Sequence, residues 1–430
     1  MERKVEKKLL EWKNRKNRLP LVLQGARQVG KTYSLLKFGK NYFKHTAYFN
    51  FESSTELHRI FDRNLTPSRI IRELSAYSAV PVVPEDTLIV FDEIQTCERA
   101  LTSLKYFAEE ASQYCVVAAG SLLGIAIKRS HYSFPVGKVE LMTMFPMDME
   151  EFLRAQKKDE AVSLIRECYS TDTFCNLHDT FMDEYRKFTG VGGMPQVVGE
   201  FVESGDYNLV VALQKNITDA HVADMAKYAE PAETVRILAA YNSIPAQLAK
   251  ENKKFQYKTI RTGARATMYA SALDWLVASA TVNKCVKISQ GLAPLKLYAD
   301  DSSFKIYLAD TGLLCSKYGI PPAVILNESH AWQSVKGILA ENSVANVLTS
   351  GGYAPCYWES QGKAEVDFVI QNHKGEVIPI EVKSSEHVRS KSLQQFVTRY
   401  KPPLSIRVSE KNFGFENRIK SVPLYASFCI

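Results

Sequence analysis

Twelve residues decide the fold of this chain: Leu21-Val-Leu-Gln-Gly25-Ala-Arg-Gln-Val-Gly30-Lys31-Thr32. They match the phosphate-loop pattern G-x-x-x-x-G-K-[ST], and the apolar residues before Gly25 supply the strand that the motif requires. The glycines allow a tight turn whose N–H groups face phosphate oxygens, while Lys31 reaches the terminal phosphates and Thr32 takes a position on Mg²⁺. The alternative, an ordinary glycine-rich turn, does not explain the lysine. Residues predicted to contact ATP are Gly25, Ala26, Arg27, Gln28, Val29, Gly30, Lys31, Thr32 and Tyr33.

A second stretch, Thr87-Leu-Ile-Val-Phe91-Asp92-Glu93, is an apolar run that ends in two carboxylates. Such a run is too short for a helix and is typical of a buried strand. We expect Asp92 to hold Mg²⁺ and Glu93 to polarise the attacking water, the role that separates hydrolysis of a nucleotide from its binding. Taken alone, the same pattern is more often structural, and the phosphate loop upstream makes the functional interpretation the better one.

Composition describes a globular protein of several domains. The 430 residues are 46% hydrophobic, and the net charge of +7 is mild for that length. No apolar run is long enough to span a membrane and the N-terminus does not resemble a signal peptide, so we expect a cytoplasmic protein. The eight cysteines form no C-x-x-C pair, which predicts reduced and mostly buried thiols. Residues 1–20 carry eight Lys or Arg against three Glu, which indicates either a polyanion-binding arm or a solvated helix face.

Strands and helices alternate over residues 1–154, which predicts a parallel sheet covered on both faces. Beyond the two motifs, Thr46–Phe51 and Tyr114–Ala119 are predicted strands, with helices at Pro67–Ala79 and Ala100–Ser112 between them. Ser121, at the end of the later strand, is predicted to sense the γ-phosphate, although it could equally be a helix N-cap. Asp148 has the pattern of a capped helix start.

The middle of the chain changes character twice. Residues 155–235 are helical in pattern and are predicted to form a lid, broken by Gly192-Gly-Met-Pro195, which by default is only a helix breaker. Residues 236–320 read as short helices followed by the hairpin Val282–Ile288 and Lys305–Leu308, the outline of a winged helix. Its basic residues favour DNA contact no more than protein contact: Lys253, Lys254, Lys258, Arg261 and Arg265.

Residues 321–430 contain a second constellation. Asp367, Glu381 and Lys383 fall on two predicted strands of a hairpin, and Glu341 lies on a preceding helix. Because side chains two residues apart on a strand share a face, Glu381 and Lys383 point the same way. Carboxylates that hold Mg²⁺ beside a lysine are the groups that metal-assisted phosphodiester hydrolysis needs. The alternative is a buried or edge ion pair.

Over nearly its full length the chain resembles a family of prokaryotic ATPases in which an AAA-type module precedes a C-terminal domain of unknown function with a restriction-endonuclease-like core. Besides the motifs above, the resemblance rests on Gly192–Pro195 and on Lys305-Ile-Tyr-Leu-Ala-Asp310-Thr-Gly-Leu-Leu314. It implies that Asp367, Glu381 and Lys383 stand at PD-(D/E)xK motif positions, with Glu341 as the helix acid. Where the family has Gly-Arg this chain has Gly137-Lys138, so the resemblance assigns no arginine finger, and Arg129 and Arg154 are substitutes.

We therefore expect an α/β protein with four domains: a P-loop ATPase core at 1–154, a helical lid at 155–235, a winged-helix-like domain at 236–320 and a nuclease-like domain at 321–430. The first hypothesis is an ATPase that uses ATP and Mg²⁺ to drive a DNA-facing module. The alternative is a switch-like signalling ATPase whose C-terminal domain is a catalytically dead binding module. DNA contact, cleavage and homo-oligomerisation stay open at this point.

Overall fold

A computed structural model describes residues 1–120, 123, 134–327, 329–360, 364–385 and 391–430. The chain forms two compact units. The N-terminal unit is Glu2–Phe145 with Ala278–Ala280, and the C-terminal unit is Pro146–Val277 and Thr281–Ile430 with Met1.

The N-terminal unit is built around a parallel sheet of order β2-β3-β4-β1-β5. Its strands are β1 (Leu21–Gln24), β2 (His45–Asn50), β3 (Thr87–Asp92), β4 (Cys115–Gly120) and β5 (Glu140–Thr143), and its helices are α1 (Lys4–Lys13), α2 (Lys31–Tyr42), α3 (Thr55–Asp62), α4 (Pro67–Ser78) and α5 (Glu98–Glu110). Strands β3 and β4 are buried at every position, because helices shield both faces of a parallel sheet. The predicted parallel sheet is confirmed.

Two elements of this unit escaped the sequence analysis. Strand β5 pairs in parallel with β1, but its side chains are partly or fully exposed, so it shows no apolar run. Helix α3 is short and has only three buried side chains. The basic segment at the N-terminus is the amphipathic helix α1, which buries Val5, Leu9 and Trp12. That burial favours the helix-face interpretation over a free polyanion-binding arm.

The C-terminal unit combines a helical region with a second sheet. Its helices are α6 (Met149–Ala155), α7 (Asp159–Thr171), α8 (His178–Val191), α9 (Pro195–Ser204), α10 (Tyr207–Tyr228), α11 (Pro231–Leu248), α12 (Ala266–Ala278), α13 (Thr311–Tyr318), α14 (Pro322–Leu326), α15 (His330–Ser350) and α16 (Lys391–Tyr400). The predicted cap at Asp148 is confirmed as a capping box with Glu151. Helix α11 continues through Pro245. The proline lies in the last turn, so the bond it removes is one near the helix end.

The second sheet has the order β12-β13-β11-β10-β9-β8-β6-β7. Its strands are β6 (Val282–Ile288), β7 (Ala299–Leu308), β8 (Cys356–Ser360), β9 (Ala364–Gln371), β10 (Val377–Val382), β11 (Ser405–Ser409), β12 (Gly414–Glu416) and β13 (Ile419–Pro423). The predicted hairpin is present as β6 and β7, but β6 also pairs with β8. The hairpin is therefore an edge of the C-terminal sheet, and the winged-helix prediction is not confirmed.

Two short motifs of the middle region, Gly192–Pro195 and the segment around Asp310, contact each other inside this unit. Asp310 accepts hydrogen bonds from the Gly193 N–H at 2.5 Å and the Leu313 N–H at 2.8 Å. A Cβ at Gly192 would come within 2.4 Å of the Asp310 carboxylate, and one at Gly193 within 1.9 Å of the Met147 carbonyl oxygen. The glycine turn is thus more than a helix breaker, because it packs the end of α8 against the start of α13.

Candidate functional site

The phosphate loop lies between β1 and α2, as the sequence predicts. A Cβ at Gly25 would come within 2.2 Å of the Met144 carbonyl oxygen, and Gly30 takes the left-handed conformation with φ of +93°. Both positions therefore require glycine. The Lys31 amino group is buried inside the loop and donates to the carbonyl oxygens of Gly25 and Ala26, each at 2.9 Å. These bonds hold the charge of Lys31 within the loop, where a phosphate would bind.

The other predicted ATP contacts lie on or behind the same loop. Ala26 and Val29 are buried, whereas Arg27, Gln28 and Tyr33 lie at the surface. Arg3, which the sequence analysis missed, supports the loop from behind. Its guanidinium donates to the carbonyl oxygens of Val29 at 2.9 Å and Phe145 at 2.7 Å. No sequence motif marks Arg3, because it lies far from the loop along the chain.

The end of β3 brings Asp92 to the loop, because β4 alone separates β1 from β3 in the sheet. The Thr32 hydroxyl donates to the Asp92 carboxylate at 2.8 Å, and so does the Tyr48 hydroxyl. Burial raises the pKa of Tyr48 to about 12, so it stays a neutral donor. The Thr32 and Asp92 oxygens are the hard ligands that Mg²⁺ prefers, so these residues fit the ion. The sequence analysis missed Tyr48 because a tyrosine in an apolar strand is typical of a residue that packs in the hydrophobic core.

Glu93 follows in a strained conformation, with φ of +51°. Burial raises its pKa above the ordinary value, and the charge of Asp92 adds to the effect. The Gln95 amide donates to the Glu93 carboxylate at 2.5 Å. A Cβ at Gly120 would come within 2.1 Å of the Gln95 side-chain oxygen, so glycine at the end of β4 leaves room for that amide. Gln95 lies two residues beyond the predicted strand end, and the sequence analysis assigned it no role.

The remaining predicted residues of this site have different outcomes. Ser121 and Arg129 lie outside the described residues. Lys138 pairs with Glu109 at 2.9 Å, and Arg154 pairs with Glu150 at 3.2 Å and Asp159 at 2.6 Å. The guanidinium of Arg154 is thus already engaged by two carboxylates of its own unit.

The C-terminal constellation is partly assembled. Lys383 pairs with Glu381 at 2.7 Å, and Asp367 accepts the Val382 N–H at 2.8 Å. The second carboxylate oxygen of Glu381 is buried, and no described residue hydrogen-bonds to it. Burial raises the pKa of Asp367 to about 7, and the nearby charges of Glu341 and Glu381 add to the shift. Asp367 and Glu381 thus form a carboxylate pair that would accept a cation.

Glu341, the predicted helix acid, has other partners. It is bonded to Lys253, to Lys305 at 3.2 Å and to the Tyr307 hydroxyl at 2.5 Å. Burial alone would raise its pKa, but Lys253 and Lys305 lower it to about 2. Glu341 therefore does not fit as a free metal ligand, and within the described ranges no three His, Cys, Asp or Glu side chains group as ligands. The sequence analysis missed Lys305, which is 1% exposed and also pairs with Glu365 at 2.6 Å.

The five basic residues considered for DNA or protein contact have two kinds of environment. Lys253 is bonded to Glu341, and Lys254 pairs with Glu359 at 2.5 Å. Lys258, Arg261 and Arg265 are exposed. Lys253 and Lys254 are therefore engaged by acids of helix α15 and strand β8, while the choice between DNA contact and protein contact stays open for the exposed residues of the set.

Comparison with protein-family models finds three matches along the chain. Residues 17–153 match AAA_14, an AAA domain. This match supports an AAA-type ATPase domain within that range. Residues 182–323 match the domain of unknown function DUF8612, and residues 336–426 match DUF4143, another domain of unknown function. The AAA match covers both the phosphate loop and the Asp92-Glu93 strand end, which supports ATP binding there.

Comparison with solved structures gives distant similarities. A Walker-type ATPase of Pyrococcus abyssi is 14% identical, with 74% of this chain and 95% of that chain covered and a TM-score of 0.45. The ORC2 protein of Aeropyrum pernix is 11% identical, covering 77% and 90%, with a TM-score of 0.32. Cdc6p of Pyrobaculum aerophilum is 12% identical, covering 78% and 92%, with a TM-score of 0.25. TM-scores of this size do not by themselves establish a shared fold.

Two further findings are negative. The comparison with curated proteins gives no significant match. No helix within the described part of the chain is both long and apolar enough to cross a membrane.

Proposed function

We propose that the AAA-type domain binds ATP with Mg²⁺ and hydrolyses it. The observation that carries the proposal is the junction of the two motifs, where Thr32 donates to Asp92 and Glu93 follows directly. When bound, Mg²⁺ would neutralise charge that develops on the phosphates. Lys31 binds the terminal phosphates, and the loop N–H groups orient them.

Glu93 is the general base of this proposal. Its pKa is raised by burial and by Asp92, which makes the carboxylate a better proton acceptor than a surface glutamate. Gln95 fixes the direction of the carboxylate. As the positioned water attacks the γ-phosphate, it transfers a proton to Glu93.

Two variants test the assignment. Glu93→Gln keeps the size of the side chain and removes the base, so ATP should bind as in the parent while turnover falls by about 100-fold to 10,000-fold. Lys31→Ala should lose ATP affinity. Binding is measured by calorimetry and turnover by phosphate release. Turnover of Glu93→Gln within a few-fold of the parent would show that Glu93 is structural.

We also propose a second role, in the C-terminal unit. Asp367 and Glu381 hold a divalent cation beside Lys383, and the unit acts on or binds nucleic acid. The unpartnered Glu381 oxygen and the raised pKa of Asp367 support a cation between these two carboxylates. Because Glu341 is bonded to two lysines, the metal site would have fewer carboxylate ligands than the predicted nuclease site. This favours the binding-module form of the proposal over active cleavage.

The second role is tested with Mn²⁺ and plasmid DNA. Calorimetric titration with Mn²⁺, in the Lys31→Ala background to remove the ATP site, should show a binding event that Asp367→Asn weakens. Cleavage is then assayed with Mg²⁺ or Mn²⁺, with and without ATP. Cleavage abolished by Lys383→Arg would assign a nuclease, whereas ion binding without cleavage would assign a binding module. The absence of Mn²⁺ binding would contradict the cation site.

A further inference from the structure

A groove of about 880 Å³ lies in the C-terminal unit, among helix α16, strand β11 and the hairpin of β12 and β13. Lys391, Arg407, Lys411 and Phe415 are among its lining residues. Its volume falls within the range of ordinary ligand sites. The groove is separate from Asp367, Glu381 and Lys383, which are not among its lining residues.

The charge of the groove is mainly positive. Lys391, Arg407 and Lys411 make no ion pair with any described residue, and the buried Nε of Arg407 has no hydrogen-bond partner among those residues either. Among the described lining residues Glu416 is the single acid. A buried polar nitrogen without a partner costs free energy, so the site is suited to an acceptor supplied by a ligand.

An aromatic ring stands at the edge of the same groove. Phe415 is 54% exposed and stands next to Glu416 in the lining of the groove. It lies on β12, and the turn residues Asn417 and Arg418 both have positive φ, of 53° and 62°. The hairpin thus holds the ring outward on a short, tightly turned edge of the sheet.

Arg407 connects this groove to the carboxylate pair. Its Cα is the register partner of Glu381 on one side and of Ser421 on the other. Neighbouring strands of a sheet lie about 5 Å apart. The backbone of Arg407 is therefore one strand away from that of Glu381.

We propose that this groove binds single-stranded nucleic acid, with Arg407, Lys391 and Lys411 on the phosphates and Phe415 stacked on a base. Cations along a groove together with an exposed ring are the elements of single-strand recognition. Peptide binding by strand addition is disfavoured, because β12 offers a free edge of only three residues. The inference rests on the second proposed function for its biological context, but it concerns binding alone.

The test is fluorescence anisotropy of the full chain with a labelled oligothymidylate of about ten nucleotides, in EDTA and without ATP. These conditions exclude cleavage and the ATP site, so a failure here is distinct from a failure of the proposed cation site. Three phosphate contacts predict a slope of about −2 for log affinity against log salt concentration. Lys411→Glu should weaken binding at least tenfold and lower the magnitude of that slope.

Two further variants separate stacking from charge. Phe415→Ala should weaken binding at least fivefold without changing the salt slope, because it removes a ring and no charge. Lys374→Glu is the matched control: Lys374 is exposed in the turn between β9 and β10 and does not line the groove. It should bind like the parent. Each of these positions is exposed, and circular dichroism checks that the fold is kept.

The proposal is overturned if the parent does not bind the oligonucleotide, or if Lys374→Glu weakens binding as much as Lys411→Glu. Unchanged binding in both groove variants would also overturn it. Competition completes the test. Unlabelled single strands should displace the probe at lower concentration than a duplex of the same length or a polyglutamate peptide, and the reverse order would overturn the choice of ligand.

Discussion

The carboxylate of Asp92 at the end of β3 and that of Glu341 on helix α15 are held in opposite ways. Asp92 accepts hydrogen bonds from two neutral hydroxyls, those of Thr32 and Tyr48. Glu341 is bonded to two lysines and to Tyr307. Neutral donors orient a carboxylate without cancelling its charge, whereas lysines cancel it. The first arrangement leaves a negative charge for a metal ion, and the second uses that charge to hold the protein together.

The difference teaches that the partners of an acid, and not its motif alone, decide how much of its charge is left for a metal ion. Glu341 and Asp92 look alike in the sequence, each in or beside an apolar segment. Lysines that face Glu341 come from positions 253 and 305, far away along the chain.

Lys305→Met should destabilise the protein most. The change leaves Glu341 and Glu365 without one of their cations, and breaking a buried ion pair costs about 3–5 kcal/mol. The free energy of unfolding, measured with urea, should fall by that amount. Lys374→Met, at an exposed turn position, should change it by less than 0.5 kcal/mol. An equal effect of both changes would contradict the structural role of Lys305.

Removing Gln95 tests how Glu93 is positioned. Gln95→Leu deletes the amide that donates to Glu93, a bond to a charged group that is typically worth about 1.5–3 kcal/mol. Turnover should fall by roughly tenfold to 100-fold, with ATP affinity unchanged. Because the Gln95 bond lowers the pKa of Glu93, its loss should also move the acid limb of the pH profile to higher pH. A purely structural effect would leave that limb in place.

Asp310 is a third kind of buried carboxylate, held by backbone N–H groups. Burial raises its pKa to about 6 from an ordinary value near 3.8. The folded state therefore keeps its proton to higher pH than the unfolded state, and the contribution of Asp310 to stability falls as pH rises from about 4 to about 6. Relative to Asp310→Asn, the parent should lose about 1–3 kcal/mol over this interval. A pH-independent difference between the two proteins in urea unfolding would contradict the raised pKa.

Tyr48→Phe should have the smallest effect. It removes one neutral donor from Asp92 while Thr32 remains, so the free-energy change should be about 0.5–1.5 kcal/mol. The concentration of Mg²⁺ that gives half-maximal turnover should change by less than about tenfold. A complete loss of activity would mean that Tyr48 contacts the nucleotide directly.

Much of the N-terminal site could be predicted because local sequence sets it. The phosphate loop needs glycine where a Cβ would collide with Met144 and where φ is positive, so its pattern is visible along the chain. The apolar run that ends in two acids likewise predicts strand β3 from neighbouring residues alone. Tyr48, Gln95 and Arg3 could not be predicted, because their roles depend on which strand or loop lies beside them.

The sequence by itself determined the parallel sheet of the N-terminal unit, the position of the phosphate loop, the Asp92-Glu93 strand end, and the β6 and β7 hairpin. These features depend on hydrophobic period and on backbone conformations that only glycine adopts readily, and both are properties of neighbouring residues. Tertiary structure alone decided that the hairpin joins the C-terminal sheet, that Glu341 binds Lys253 and Lys305, and that Arg407 lies beside Glu381. Strand order and charge pairing bring together residues that are distant along the chain, and no local pattern records such distances.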